Sequence, residues 1–219
     1  MQLKKMIVLS IETAVDGGSL SLSVEGNEIN SWVGTEKVSK AEDVLEQIAD
    51  LLEQNKINKK HLSLIAVSNG PGSSTGVKIG LAIAKGLSNA LKIKVVEVSA
   101  FEALLEEADP ELKGEIITVL PIGKNLICRN VFGKLETILP IAKDLKQSFQ
   151  AISVGEFGNQ LKASTYDQII FHQKAFQSCE SLVDSNIEVK MASKIAVRNL
   201  ASLICERIKN GIASDNTVI

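Results

Sequence analysis

The stretch VSNGPGSSTGVKIGLAIAKGLSNAL, Val67 to Leu91, decides how this chain is read. A short apolar run, Leu64 to Val67, enters a Gly-Pro-Gly turn, and a long apolar segment follows, the pattern of strand, turn and helix. Such a unit invites a phosphate-loop reading, and the spacing excludes it. A P-loop needs Gly-Lys-Ser/Thr after its four-residue spacer, whereas Gly76 is followed by Val77 and the lysine arrives at Lys78. The dinucleotide fingerprint Gly-x-Gly-x-x-Gly is one residue shorter than the spacing of Gly70, Gly72 and Gly76. Another explanation is needed for the turn.

On a helical wheel Lys78, Lys85, Lys92 and Asn89 lie within roughly 60° of one another. The other directions carry Val, Ile, Leu, Ala or Gly, with Ser88 the small polar exception. Small residues recur at Gly76, Gly80, Ala82, Gly86 and Ala90 and would let another backbone come close. Either the same chain covers both apolar sides, or one side accepts a helix from a second subunit. The natural neighbour is an amphipathic helix starting at Ser39, where Ser39-Lys40-Ala41-Glu42 fits a capping box. Its apolar face carries Ala41, Val44, Leu45, Ile48, Leu51 and Leu52, and its opposite face is acidic. The expected docking residues are Ala41, Val44, Leu45 and Ile48 on that helix and Gly76, Gly80, Ile83, Ala84 and Leu87 on the central one.

Upstream, Met6 to Ile11 reads as a buried central strand. Leu20, Leu22 and Val24 alternate with Ser19, Ser21 and Ser23, the period of a half-buried antiparallel strand, and Ile29 to Val33 supplies a third. Downstream, Val95 to Val98 reads as a strand and Ser99 to Ala108 as a helix, and Asp109-Pro110 marks a boundary. Beyond it the spacing predicts strands at Ile116 to Leu120, Ile122 to Val131 and Leu135 to Leu139, and a helix at Ile141 to Phe149. Strands at Ala151 to Val154 and Gln168 to Phe171 follow, then a helix over roughly Met191 to Ile208. A β-β-β-α-β-α order thus appears and loosely repeats, giving an α/β fold of two related lobes, 1–109 and 110–219. The final helix, about residues 191–208, is a candidate to pack back on the first lobe.

Charge and chemistry narrow the function. The 219 residues are 45% apolar and 23% charged with a net charge of −2, so no broad attraction to nucleic acid or anionic membrane is expected. Aromatics at 4% offer no stacking platform for single strands. Cys128, Cys179 and Cys205 read as small core residues in a reducing compartment. The apolar run at Met6 stops at Glu12, too short for a secretory signal, and no stretch of ~18 apolar residues exists, so a cytoplasmic protein is expected. His61 and His172 are far apart, no Cys-x-x-Cys occurs, and Gly-x-Ser-x-Gly is absent. Ser73, Ser74 and Thr75 read as helix caps rather than nucleophiles, and Glu12 and Asp16 as solvated turn residues rather than Mg²⁺ ligands. No catalytic, cofactor-binding or metal residue is therefore assigned.

The segment GPGSSTGVKIGLAIAKGLSNAL, with LSLIAVSN before it and KIKVVEVSAFEALLE after it, closely resembles the TsaB (YeaZ) family. That family's signature is approximately Gly-Pro-Gly-Ser-Phe-Thr-Gly-x-Arg-x-Gly. Gly70, Pro71, Gly72, Ser73, Thr75, Gly76 and Gly80 match it, while Ser74 stands in place of Phe and Lys78 in place of Arg. IVLSIETAVDGGSLSLSV resembles the family's first hairpin and SKAEDVLEQIADLL its first helix, so the resemblance covers about residues 6–105. The His-Ser-Glu usual near the start of that helix is missing its histidine. Pro121 to Leu126 replaces an Asp-Ala-Arg-like segment.

The resemblance implies a two-lobed actin/Hsp70/sugar-kinase (ASKHA) fold without kinase chemistry. It implies a non-catalytic scaffold or activator subunit in making N6-threonylcarbamoyladenosine at adenosine 37 of tRNA. Such a subunit docks a metal-containing TsaD-like transferase through helices 39–54 and 75–91, with a TsaE-like ATPase joining the assembly. It can form a homodimer through similar surfaces and meets tRNA only indirectly. The isolated chain would hold no cofactor, and a nucleotide would bind only at an interface with other subunits. The competing readings are an ATP-dependent small-molecule kinase of the same fold and a diverged homodimeric interaction protein.

Overall fold

A computed structural model describes residues 5–34, 41–109, 111–112, 114–133, 149–164, 166–184, 186–192, 200–205 and 217–218. Met1–Ala103 together with Ile195–Ile219 make one compact unit, and Leu104–Lys194 make the second.

The first unit opens with β1 (Ile7–Glu12), β2 (Ser19–Val24) and β3 (Asn27–Val33), the antiparallel meander that the serine alternation predicts. Helix α1 (Ala41–Gln54) follows, its buried residues Val44, Ile48, Leu51 and Leu52 spaced to make one apolar stripe. The capping-box residue Ser39 lies outside the described residues. Strand β4 (Leu64–Ser68) then pairs parallel with β1, and after α2 (Ser74–Leu91) strand β5 (Lys94–Val98) pairs parallel with β4. A final two-residue strand, β11 (Thr217–Val218), pairs antiparallel with β5. The order across the sheet is β11-β5-β4-β1-β2-β3. Leu9, Ile11, Leu20, Leu22, Ile65, Val67 and Val95 form its core with Val44, Ile48, Ile83 and Ala84 from the two helices.

Helix α3 (Ala100–Leu105) follows β5. The division between the two units falls within α3, ahead of the Asp109-Pro110 step. Residues 200–205 are helical, with Leu200, Ala201, Leu203, Ile204 and Cys205 buried. Cys205 lies against the β2–β3 turn, where a Cβ on Gly26 would sit 3.6 Å from its Sγ.

The second unit repeats the plan. Strands β6 (Ile116–Gly123), β7 (Leu126–Phe132) and β8 (Gln150–Ser153) form a meander, and β9 (Gln168–His172) and β10 (Glu188–Ala192) add in parallel. Helices α4 (Val154–Ala163) and α5 (Gln173–Cys179) fill the connections after β8 and β9. The order β10-β9-β6-β7-β8 matches β5-β4-β1-β2-β3 position for position. The duplicated unit expected from the sequence is therefore present, with a fifth strand closing each copy.

Several boundaries differ from the sequence reading. Ile122 and Gly123 complete β6, because Asn125 at φ 60° makes the reversal. The third strand of the meander is Gln150–Ser153, and Val154 starts a helix instead of ending a strand, since the Ser153 hydroxyl accepts the Glu156 N–H at 3.1 Å. The expected strand at 135–139 and helix at 141–148 lie outside the described residues, and Phe149 is in neither. Met191 and Ala192 belong to β10 rather than to the last helix.

Candidate functional site

The signature turn is held by its own polar groups. Asn69 N–H reaches Val98 C=O at 3.0 Å, and Gly70 N–H donates to the Ser68 hydroxyl at 3.3 Å. Gly70 takes φ 92°, a conformation that glycine adopts without a Cβ penalty, and the Gly70-Pro71 peptide is cis. The Gly70 carbonyl accepts from Ala100 N–H at 2.8 Å and from the Ser99 hydroxyl at 3.4 Å, tying the turn to the start of α3. Ser73 is the N-cap of α2, its hydroxyl accepting the Gly76 N–H at 3.3 Å. Lys92, left-handed at φ 57°, ends that helix.

The glycines of the turn make a notch for the β1–β2 connection of the same chain. A Cβ on Gly72 would lie 2.6 Å from Ala14 O, one on Gly76 2.1 Å from Thr13 O, and one on Gly80 2.5 Å from Thr13 Oγ1. Thr13 Oγ1 donates to Gly76 O at 2.7 Å, and Ser73 N–H donates to Ala14 O at 2.7 Å. The small-residue spacing does mark a close approach: the backbone that approaches Gly72 and Gly76 is internal, and Gly80 is met by the Thr13 side chain. Gly86 differs: it is exposed, with nothing within 4 Å of its Cβ position.

Glu12 is not a solvated turn residue. It is 1% exposed at the carboxyl end of β1, and Oε1 accepts the Ala14 N–H. Burial raises its carboxyl above the ordinary carboxylate range, while the Ser68 hydroxyl and the N–H groups of Ala14, Val15 and Thr13 oppose the rise. The folded protein thus binds this proton more tightly than the unfolded chain, whose Glu titrates at about 4.3. Its contribution to stability is complete below that value and is lost as the pH rises toward the folded-state pKa. Glu12→Gln removes the term. The urea midpoint of the variant, relative to the parent, is expected to climb between pH 4 and pH 7, and a difference that does not vary with pH would refute the assignment. Asp16, by contrast, is exposed at φ 48°.

The residues expected to dock a partner divide. Val44, Ile48, Gly76, Gly80, Ile83 and Ala84 are buried, and all but the glycines belong to the core beneath α1 and α2. They serve the chain's own packing and offer no surface. Ala41 and Leu87 are partly buried, and Leu45 is 46% exposed. The outward face of α2 consists of Thr75, Lys78, Ala82, Lys85, Gly86, Asn89 and Ala90. Beside Leu45, α1 presents Glu42, Asp43, Glu46, Ala49 and Glu53.

Nucleophilic chemistry has little to work with here. Ser73 is committed to capping, and Ser74 and Thr75 are exposed in the first turn of α2. All three cysteines are buried and outside any disulfide, and burial pushes Cys128 and Cys179 up to about 11, leaving little thiolate at neutral pH. His61 is exposed, whereas His172 is buried and caps α5. Among the described residues no three His, Cys, Asp or Glu side chains gather as metal ligands, and no helix is long and apolar enough to cross a membrane.

The family model for TsaD, tRNA N6-adenosine threonylcarbamoyltransferase, matches residues 37–155, just over half of the chain. The TsaB biosynthesis protein of Buchnera aphidicola subsp. Acyrthosiphon pisum is 32% identical over 114 residues, covering 52% of this chain and 51% of that one. The chain belongs to the TsaD family, in its TsaB (YeaZ) branch. Bacillus subtilis TsaB is 32% identical over 145 residues, covering 62% of this chain and 60% of its own. A tRNA N6-adenosine threonylcarbamoyltransferase from Carboxydothermus hydrogenoformans is 26% identical over 151 residues, 60% and 45% of the two chains. The chain spans about half the length of the curated TsaB relatives it matches. YeaZ from Pseudomonas aeruginosa superposes with a TM-score of 0.68 at 18% identity over 96% of each chain. A polyphosphate/ATP-glucomannokinase from Arthrobacter superposes at 0.53 with 12% identity over 94% and 99% of the two chains. The chain thus shares its two-lobed α/β fold with these two proteins.

Proposed function

We propose that this chain is a non-catalytic subunit in the formation of N6-threonylcarbamoyladenosine on tRNA, holding a TsaD-like transferase through the outward faces of α1 and α2. The observation that carries this reading is the use made of the signature turn. Ser73 caps the helix start, Thr13 donates to Gly76 O and Glu12 accepts the Ala14 N–H, so these side chains are committed to seating the β1–β2 connection against the turn. What the turn leaves open is the lysine-and-small-residue face of α2, flanked by the acidic face of α1. Patches of both signs side by side favour a partner of matching charge pattern and fix its register. A TsaE-like ATPase and a nucleotide join at surfaces that the assembled subunits create.

Co-purification with the TsaD-like protein of the same organism tests the proposal, and failure to form a stoichiometric complex overturns it. Gly86→Leu places a bulky side chain on the outward face, where nothing stands within 4 Å. The Kd for the TsaD-like partner is expected to rise at least about tenfold, roughly 1.4 kcal/mol, with a melting temperature no lower than the parent's. Unaltered affinity would move the docking surface elsewhere.

A further inference from the structure

Strand alternation splits the central strands of the first unit into two faces. Leu9, Ile11, Leu20, Leu22, Ile65 and Val67 point into the core with α1 and α2. The opposite face carries Ser10 and Glu12 from β1, paired across the ladder with Ser21 and Ser19 from β2. Ser68, at the end of β4, stands beside Glu12. This face is also closed to solvent: Ser10 and Ser21 are fully buried, and Glu12, Ser68 and Ser19 nearly so.

Three oxygens in adjacent positions of this closed face have no hydrogen-bond partner among the described residues: Ser10 Oγ, Ser21 Oγ and Glu12 Oε2. Ser23, one step along the same face, differs in that its hydroxyl reaches Val8 O at 3.5 Å. Buried hydroxyls and carboxyls are rarely left without partners, and a buried water commonly makes about three hydrogen bonds to such groups. We propose that Ser10 Oγ, Ser21 Oγ and Glu12 Oε2 form the binding site of one internal water molecule. Water suits this set because the hydroxyls both donate and accept, so the molecule can complete each of them in turn. An alkali cation, the competing occupant, would accept only lone pairs and would leave the hydroxyl protons unmatched. The water also has a structural task. It fixes one oxygen of Glu12 to the sheet while the other receives the Ala14 N–H that seats the β1–β2 connection in the glycine notch.

The test uses the full chain with Ser10→Ala, Ser21→Ala and the double variant, each substitution removing a single oxygen. A hydroxyl that holds the water is missed when deleted, so each single variant is expected to lower the melting temperature by about 2–4 °C. The double variant is expected to melt scarcely lower than either single one, because both deletions disturb the same molecule. A high-resolution crystal structure should show a density peak within hydrogen-bonding distance of all three oxygens. If the two hydroxyls are dry, their replacement relieves an unmet desolvation cost and the melting temperature rises, which overturns the proposal. Strictly additive losses overturn it too. So does a fall in melting temperature when sodium and potassium are exchanged for N-methylglucamine, an outcome that would assign the site to a cation.

Discussion

Gly76→Ala is expected to destabilise the protein by about 3 kcal/mol or more, lowering the melting temperature by roughly 6–12 °C. The new Cβ would run into the backbone of the β1–β2 connection: Thr13 O at 2.1 Å, with Ala14 Cα and Thr13 C each at 2.8 Å. No rotamer change can relieve such contacts, so either the β1–β2 connection leaves the notch or α2 shifts off the sheet. Both break the Thr13 to Gly76 hydrogen bond and the Ser73 to Ala14 hydrogen bond. The control lies ten residues on in the same helix. Gly86→Ala meets nothing within 4 Å, so only helix propensity changes, and a gain of up to about 1 kcal/mol is expected. Urea unfolding of the two variants reads both signs. Equal effects would refute the view that the notch, rather than glycine in a helix as such, constrains this segment.

Phe171→Ala should cost about 3–5 kcal/mol. Phe171 sits in β9, fully buried, with Phe157 of α4 edge-on at 6.1 Å and 83° and Phe176 of α5 edge-on at 5.5 Å and 68°. One ring therefore joins α4 and α5 to the sheet of the second unit, and its loss removes burial area and two edge-to-face contacts together. Hydrogen exchange should accelerate in β6, β9 and α4 while β1 and β4 keep their protection. Uniform acceleration through both units would show instead that the two open as one cooperative body.

The first unit was legible in the sequence because its signals are local. Ser19 to Val24 alternate without a break, and Val44, Ile48, Leu51 and Leu52 trace one stripe. The second unit was harder for the opposite reason. Helix α4 contains Gly155 and Gly158, which weaken any propensity signal, and Gly158 is there because Leu182 stands 3.1 Å from its Cβ position. That contact joins residues distant in sequence and leaves no periodic trace. The site was read in part. Spacing told that Gly76 and Gly80 admit a close neighbour, but nothing local told that the neighbour is Thr13. Glu12 looked like a turn residue because it ends the apolar run from Met6, whereas the parallel pairing of β1 with β4 buries the end of the strand. Such pairing depends on residues more than fifty positions away, where Ile11 meets Val67.

The first unit is discontinuous, closed by residues after 194, while the second is one continuous stretch of chain. On a ribosome that emits the N-terminus first, the first unit emerges early yet lacks the helix at residues 200–205 and the strand that covers β5 until those residues have been made. The second unit has all its strands in hand sooner. Closing a loop of about ninety residues adds only a slowly growing, logarithmic entropy cost. The delay is therefore one of timing more than of equilibrium. During that interval β5 has an open edge, and a nascent chain stalled before residue 200 presents to chaperones the surfaces that the finished protein conceals.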